Sequence, residues 1–257
     1  MRKFDRKSPA PLPAHRMLSR VTPVLPPVVD LREWCGPIKD QGNEGACTAH
    51  AGTSAVEWIF RRYLGKHPIL SPQYTYAKEL IAQGSFPSDV GSDGTTLAGT
   101  LIASGCCELS LFPYVPGQII TPTAAQDANA AGWQMGAYHG LEGSQVALSV
   151  LGNPVPWPVE IGFTVYESFE SDEVASTGVM PMPGGGEQQL GGHEVLLVGY
   201  DIGETPNLRP AGSPPAFLVQ NSWSSSWALG GFFWMPLAIA DDPSTDLKIV
   251  HAGGPWK

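Results

Sequence analysis

The hydrophobic pattern of this chain changes period half-way along its length, and no single regular architecture accommodates both halves. Val56, Ile59, Phe60 and Tyr63 recur at three- and four-residue spacing before Gly65, which is the pattern of an amphipathic helix beginning near Gly45. A cap from Asn43 or a neighbour suits its start. Ser71-Pro72 offers a second start, hydroxyl as cap and proline at the first helical position, with an end expected near Gly84. A third helix is expected from Thr96 to Ser104, stopped by Gly105, and a short fourth from Ser144. Beyond residue 150 the pattern becomes that of strands, at 158–165, 194–200, 217–220, 231–235 and 247–250. Runs such as Val195-Leu196-Leu197-Val198 are apolar on both faces, so these strands are expected to be covered on both. The expectation is an α+β chain, a helical lobe over about residues 40–125 packed on a β lobe over about 140–250, with a cleft between them.

With 257 residues, 42% of them apolar, the chain can bury such a core. Its net charge is −9, with no basic run beyond the first seven residues, which argues against nucleic-acid or anionic-membrane partners. No apolar stretch approaches the length of a membrane span. Residues 1–28 are proline-rich, polar and aperiodic, and read either as a mobile tail or as a strap packed on the domain formed by residues 29–257. The basic Met1–Lys7 segment is followed by Ser-Pro-Ala-Pro-Leu-Pro, not by an apolar run. No signal peptide of the usual kind is therefore expected, which fits the cytoplasm or export by a non-classical route. Cys35, Cys47, Cys106 and Cys107 show no CxxC spacing and no paired histidine, so neither a metal site nor a cofactor is expected. A disulfide from Cys35 to Cys106 or Cys107 stays open.

Cys47 lies in Gln41-Gly42-Asn43-Glu44-Gly45-Ala46-Cys47-Thr48, where a helix should begin. The unpaired N–H groups and partial positive charge of a helix N-terminus favour a thiolate, the reactive form of the thiol. Gly191-Gly192-His193 opens an apolar strand and Gln220-Asn221-Ser222-Trp223 closes another. His193 can act as base towards the thiol and as acid towards a leaving amine, and Asn221 can hold the ring in one tautomer without carrying charge. Gln41, six residues before Cys47, can donate a side-chain N–H to a developing oxyanion, together with the backbone N–H of Cys47. Each residue alone has an ordinary structural explanation. The three motifs together, in this order, point to a cysteine nucleophile attacking carbonyl carbons.

These motifs resemble those of the papain-like cysteine peptidases over about residues 27 to 250. Val29-Asp30-Leu31-Arg32 is similar to the start of the family's mature domain, and Gln41-Gly42 with Gly45-Ala46-Cys47 to its oxyanion glutamine and nucleophile segment. Ser92-Asp93-Gly94-Thr95 falls where the family has a glycine-rich loop that pairs with substrate backbone, and Phe112-Pro113-Tyr114 resembles its aromatic-Pro-Tyr element. Gly192-His193-Glu194-Val195 with Val198-Gly199-Tyr200 resembles its histidine strand. Asn221-Ser222-Trp223, then Trp227 and Gly231-Phe232, resembles its asparagine segment, with Trp223 in a supporting place.

The resemblance implies a two-lobed fold with a barrel-like antiparallel lobe, a peptide or protein substrate, and an active site in the cleft. It implies an apolar preference in the main specificity pocket, lined by Gly94, Thr95 and Gly162, with Gly45 and Gly192 offering backbone contacts.

The chain also departs from the family pattern. Thr48 follows the nucleophile where an aromatic is usual, and Glu194 follows the histidine where a small residue is usual. Strand alternation should turn Glu194 away from His193. Glu44 and Lys78 replace the usual disulfide cysteines, which fits a reducing compartment or a non-eukaryotic subgroup, and an ion pair between them is expected. Ser224 and Ala228 stand where the family has glycines. His193 lies 146 residues after Cys47 and Asn221 174 after it; the surplus is placed in the Gly-, Pro- and Asn-rich segment 201–215. A long helical propeptide is not expected before the domain, and residues 1–28 are expected to cover part of the cleft.

The leading expectation is a peptidase working through a Cys47 acyl-enzyme. An acyl transferase or isopeptidase would use the same thiol. A non-catalytic peptide-binding scaffold would have no need of Cys47, His193, Asn221 and Gln41 together.

Overall fold

The computed structural model describes residues 3–4, 7, 17–18 and 24–252. Most of the 1–28 extension lies outside them.

Helix α1 (Cys47–Leu64) is the centre of the molecule. Every residue from Cys47 to Phe60 is buried, so this helix is enclosed on all sides. It ends as the sequence indicates, with Gly65 left-handed at φ 61° and its N–H on the Phe60 carbonyl. Its start differs from expectation. The N-cap is Ala46, with no side-chain hydrogen bond, so the first turn of α1 is left without the cap that Asn43 could have given.

Helix α2 (Pro72–Ala82) starts as expected, with the Ser71 hydroxyl accepting from the Tyr74 N–H. Helix α3 (Gly94–Ala103) begins two residues before the expected Thr96, because the Asp93 carboxylate accepts from the N–H groups of Thr95 and Thr96. Helix α4 (Ala124–Ala130) carries a Thr123/Gln126 capping box. Helices α5 (Gly143–Leu151) and α6 (Asp172–Thr177) complete the set among the described residues, α5 being the fourth helix expected from Ser144.

The strands are β1 (Met17–Leu18), β2 (Val28–Asp30), β3 (Met135–Leu141), β4 (Val159–Tyr166), β5 (Gln189–Asp201), β6 (Ala216–Gln220), β7 (Phe232–Pro236) and β8 (Asp246–Ala252). They form one sheet in the order β1-β3-β8-β4-β5-β6-β7, and β2 pairs with β5. All these pairs are antiparallel except β1 with β3. The fold is thus α+β, and α1 packs against β5 where the two lobes meet. Between β5 and β6 the 201–215 segment folds onto one carboxylate, Asp201, which accepts from the N–H groups of Gly203, Asn207, Leu208 and Arg209. The insertion is closed on itself and leaves β5 and β6 paired, with a bulge between Leu197 and Gly199.

The Glu44–Lys78 ion pair is not formed. Lys78 Nζ lies 2.8 Å from Asp127 Oδ1. The Glu44 carboxylate accepts from Gln73 Nε2 at 3.0 and 3.1 Å and from the Gly117 N–H. Five residues along a helix is about 140° of rotation, so α2 turns Gln73 and Lys78 to different sides. No disulfide joins the four cysteines, all of which are described. Burial pushes the Cys106 thiol up to about 12 and that of Cys107 up to about 11, and raises Cys35 still further. Such thiols are poor nucleophiles at neutral pH.

Candidate active site

Gln41, His193 and Asn221 are brought together through the β6–β7 turn, and Cys47 opens the helix that packs on β5. Cys47 is the first residue of α1, buried at the positive end of an 18-residue helix. The loop before it is tied to the β6–β7 turn. The Gln41 N–H donates to the Ser222 carbonyl at 2.9 Å, the Ser222 hydroxyl donates to Gln41 Oε1 at 2.5 Å, and Asp40 bridges to Trp223. Gln41 Nε2 donates to the Glu44 carbonyl at 3.1 Å. An amide nitrogen has two hydrogens, so a second donor remains on the Gln41 side chain.

His193 sits on β5, fully buried, and its Nε2 lies 2.9 Å from Asn221 Oδ1. The same Oδ1 accepts from the Ser222 N–H at 2.8 Å. Two donors on one oxygen identify it as the carbonyl end of the amide, so Nε2 carries a hydrogen and Nδ1 is the nitrogen that can exchange a proton with a thiol. Trp223 stacks on the imidazole, centroids 4.9 Å apart at 21°. Phe163 meets it edge-on at 5.9 Å, and Phe169 and Trp227 pack behind Trp223. This apolar cover keeps water from the His193–Asn221 bond and strengthens it.

The expected pocket residues lie on the other side of β5. Gly162 is in register with Glu194 of β5 and with Asp246 of β8, and Glu160 with Lys248. Cross-strand partners share a face, so Gly162 lies between two carboxyl-bearing residues. Gly94 stands opposite. A Cβ there would lie 2.5 Å from Lys248 Nζ, 3.0 Å from Asp246 Oδ2 and 3.1 Å from Glu194 Oε1, so a larger residue would have to displace these side-chain ends. Lys248 is paired with Asp246. Further in, Glu79 accepts from the Thr48 hydroxyl at 2.9 Å. Burial, with Glu194 nearby, pushes the Glu160 carboxyl up to about 8 and raises that of Glu79 as well. Thr48, unexpected beside the nucleophile, thus holds a buried carboxyl next to this cluster. Thr95 lies in the capped first turn of α3, and the Gly45 N–H is bonded to Asp89 Oδ1.

The described part of the extension touches both sides of this site. The Phe4 carbonyl accepts from the Gly192 N–H at 3.1 Å, and the Phe4 ring meets His193 and Trp223 edge-on at 6.1 and 6.0 Å. A Cβ on Gly191 would lie 2.2 Å from the Phe4 carbonyl oxygen, so this contact requires glycine. Lys3 Nζ pairs with Asp89 at 2.7 Å and the Lys7 N–H donates to the Ser92 carbonyl at 2.7 Å.

Sequence reasoning missed His50, one turn after Cys47 on α1. Its Nδ1 lies 3.0 Å from the Ala46 carbonyl and its ring meets Tyr114 edge-on at 4.7 Å. A histidine three residues after the nucleophile, on the same helix face, was the available signal. The charged pocket wall was also missed, because Glu160, Glu194, Asp246 and Lys248 come from three strands whose register the sequence does not display.

Residues 25–244 match the sequence model of the papain family cysteine proteases. An uncharacterised peptidase C1-like protein of Acanthamoeba polyphaga mimivirus is 27% identical over 226 residues, covering 82% of this chain and 68% of that protein. A digestive cysteine proteinase of Homarus americanus is 28% identical over 206 residues, covering 77% of this chain and 58% of that protein. Among solved structures, xylellain, a cysteine protease from Xylella fastidiosa, superposes with a TM-score of 0.83 at 22% identity, over 98% of both chains.

Proposed function

Because the chain belongs to the papain family of cysteine proteases, we propose that it hydrolyses peptide bonds through a thioester on Cys47. The observation that carries this reading is the buried His193–Asn221 hydrogen bond beneath Trp223, beside a helix that begins at Cys47. His193 Nδ1 takes the thiol proton, and the thiolate attacks the substrate carbonyl carbon. The resulting oxyanion accepts from the Gln41 side chain and the Cys47 N–H. As the C–N bond breaks, the imidazolium gives its proton to the departing amine, leaving the acyl thioester. A water, deprotonated by Nδ1, then attacks the thioester, releasing the carboxylic acid and the thiol. Asn221 holds the ring for both transfers.

The test is turnover of a peptide library by the full chain, alongside stoichiometric labelling by a thiol-reactive epoxide. Both should vanish in Cys47→Ala. Labelling without peptide cleavage favours acyl transfer to an amine. No labelling favours a peptide-binding scaffold and sinks the hydrolase.

The resemblance implies an apolar pocket; the residues around Gly94 and Gly162 support a different preference. Glu194 and Asp246 stand there with one lysine between them. An apolar side chain placed against these groups would offer their charges no partner. A basic side chain would meet the carboxyls of Glu194 and Asp246. The pocket therefore favours lysine or arginine one residue upstream of the scissile one, by at least about tenfold over leucine, or ~1.4 kcal/mol. Matched peptides differing at that position alone check it; a leucine preference removes it.

The contacts of Lys3, Phe4 and Lys7 support a cleft cover by the extension. Deleting residues 1–26 should raise turnover of small peptides, and unchanged kinetics would remove that reading.

A further inference from the structure

Behind the His193–Asn221 bond is a small cavity lined by Lys39, His50, Ser54, Glu194, Gln220 and Asn221. About 10 Å³ of it is open to water, enough to seat a single molecule and far too little for substrate. Among the described residues, His50 Nε2, Gln220 Oε1 and Asn221 Nδ2 on its lining are buried polar atoms that make no hydrogen bond. Buried polar atoms are rarely left in that condition, and three around one cavity point to a shared partner.

The donor and acceptor roles are fixed by what each side chain does elsewhere. Asn221 Oδ1 accepts from His193 and from the Ser222 N–H, so its Nδ2 presents hydrogens. Gln220 Nε2 donates to the Ser54 hydroxyl at 3.5 Å, so its Oε1 is an acceptor. The His50 ring is within hydrogen-bond reach of the Ala46 carbonyl through Nδ1, which must carry the hydrogen, so Nε2 is a bare acceptor. Burial pushes the His50 imidazole down to about 3, and Lys39 and His193 press it the same way, so the ring keeps this neutral form through the working pH range. One donor and two acceptors match a water that accepts once and donates twice. The other charged groups facing the cavity are Lys39, whose Nζ is paired with Glu57 Oε1 at 2.7 Å, and Glu194.

We propose that one water, accepting from Asn221 Nδ2 and donating to His50 Nε2 and Gln220 Oε1, locks the Asn221 amide, and that His50 is thereby a positioning residue for the catalytic imidazole. The inference rests on the reading of His193 as the base of Cys47. Without the lock, the amide can turn its NH₂ towards the Nε2 hydrogen of His193, setting donor against donor. The imidazolium then loses its support, and the thiolate–imidazolium pair gives up its proton at lower pH.

The rate of Cys47 alkylation by iodoacetamide, followed against pH in the full chain, reads that pair without requiring peptide turnover. His50→Phe keeps a ring against Tyr114 and removes the Nε2 acceptor. It should move the alkaline limb of the profile down by at least about half a pH unit and lower kcat roughly tenfold with KM little changed. Gln220→Glu, which keeps an acceptor, should stay near wild type where Gln220→Met does not. A folded His50→Phe chain with an unshifted limb and full kcat overturns the proposal. Should that variant not fold, a crystal structure of the unaltered chain decides: a water within 3.5 Å of all three atoms supports it, and its absence there overturns it. A wild-type profile with no imidazole-dependent limb would instead count against His193 as the base.

Discussion

His193 and Glu194 are neighbours on β5, yet they face opposite environments. His193 is enclosed by Trp223, Phe163 and, behind them, Phe169 and Trp227. Glu194 belongs to a face holding Glu160, Gly162, Asp246 and Lys248, opposite Gly94. Both residues are almost wholly buried. The aromatic face protects the His193–Asn221 bond, and the apolar cover strengthens it. The charged face has several ionisable groups and one lysine, and burial drives Glu79 and Glu160 towards their neutral forms. The same strand thus separates a face built to hold a proton donor in place from one whose charge depends on pH and on what enters it.

The strongest way to break the contrast is at Trp223. Trp223→Ala removes the stacked cover of His193 and opens a cavity among Phe169 and Trp227. It should destabilise the fold by about 3–5 kcal/mol, read from denaturant midpoints. In the fraction still folded kcat should drop with little change in KM, since water then competes for the His193–Asn221 bond. A cost below about 1 kcal/mol would mean that the aromatic cluster supports the fold less than its burial implies.

A second, smaller effect belongs to the charged face. Among the described residues neither carboxyl oxygen of Glu160 has a hydrogen-bond partner, and its carboxyl is pushed up to about 8, burial first and Glu194 second, with Lys248 opposing. A carboxyl raised in the folded state keeps its proton there after the unfolded chain has lost it. Stability contributed by this group is therefore present below its ordinary value of 4.5 and declines as pH rises towards about 8. Glu79 acts in the same direction. Glu160→Gln cannot ionise, so its melting temperature should fall less steeply than that of the wild type across this window. The difference should amount to several degrees by the upper end. Parallel curves would show that Glu160 is already balanced by Lys248.

Smaller again is Glu194→Gln, which removes a charge and keeps the shape. The advantage of arginine over leucine in matched peptides should shrink by about tenfold, or ~1.4 kcal/mol, with leucine peptides little affected. An unchanged ratio would assign the preference to Asp246 alone.

Much of the aromatic side was legible in the sequence and little of the charged side was. Cys47, His193 and Asn221 each lie in a short local motif, and strand alternation alone turned Glu194 away from His193. The five later strands carry apolar runs or alternation of their own. Strand β3 escaped notice because Met135-Gly-Ala-Tyr-His-Gly-Leu141 has neither; its strand character comes from pairing with β8. The charged face is a product of register among β4, β5 and β8, which only the folded chain reveals. Lys78 and Glu44 failed as a pair for a related reason, since the rotation of α2 presents Gln73 instead.

The smallest expected effect lies in the loop that carries Trp223 towards β7. Ser224 and Ala228 adopt left-handed backbone, at φ 72° and 47°, where a Cβ costs about 1–2 kcal/mol relative to glycine. The loop holds them there because its N–H groups are engaged: Ser224 donates to the Lys39 carbonyl and Ala228 to the Ala175 carbonyl. Glycine at either position should retain these bonds and relieve strain, offset in part by the freedom glycine gains when unfolded. Ala228→Gly should then stabilise by about 0.5–1 kcal/mol. Ser224→Gly should gain less, because the Ser224 hydroxyl accepts from the Ser226 N–H at 3.1 Å and that bond is lost. If Ser224→Gly stabilises more, that hydroxyl contributes nothing and the strain at Ser224 dominates. If both destabilise, the side chains are needed to hold the loop, and the aromatic face depends on it more than its packing alone indicates.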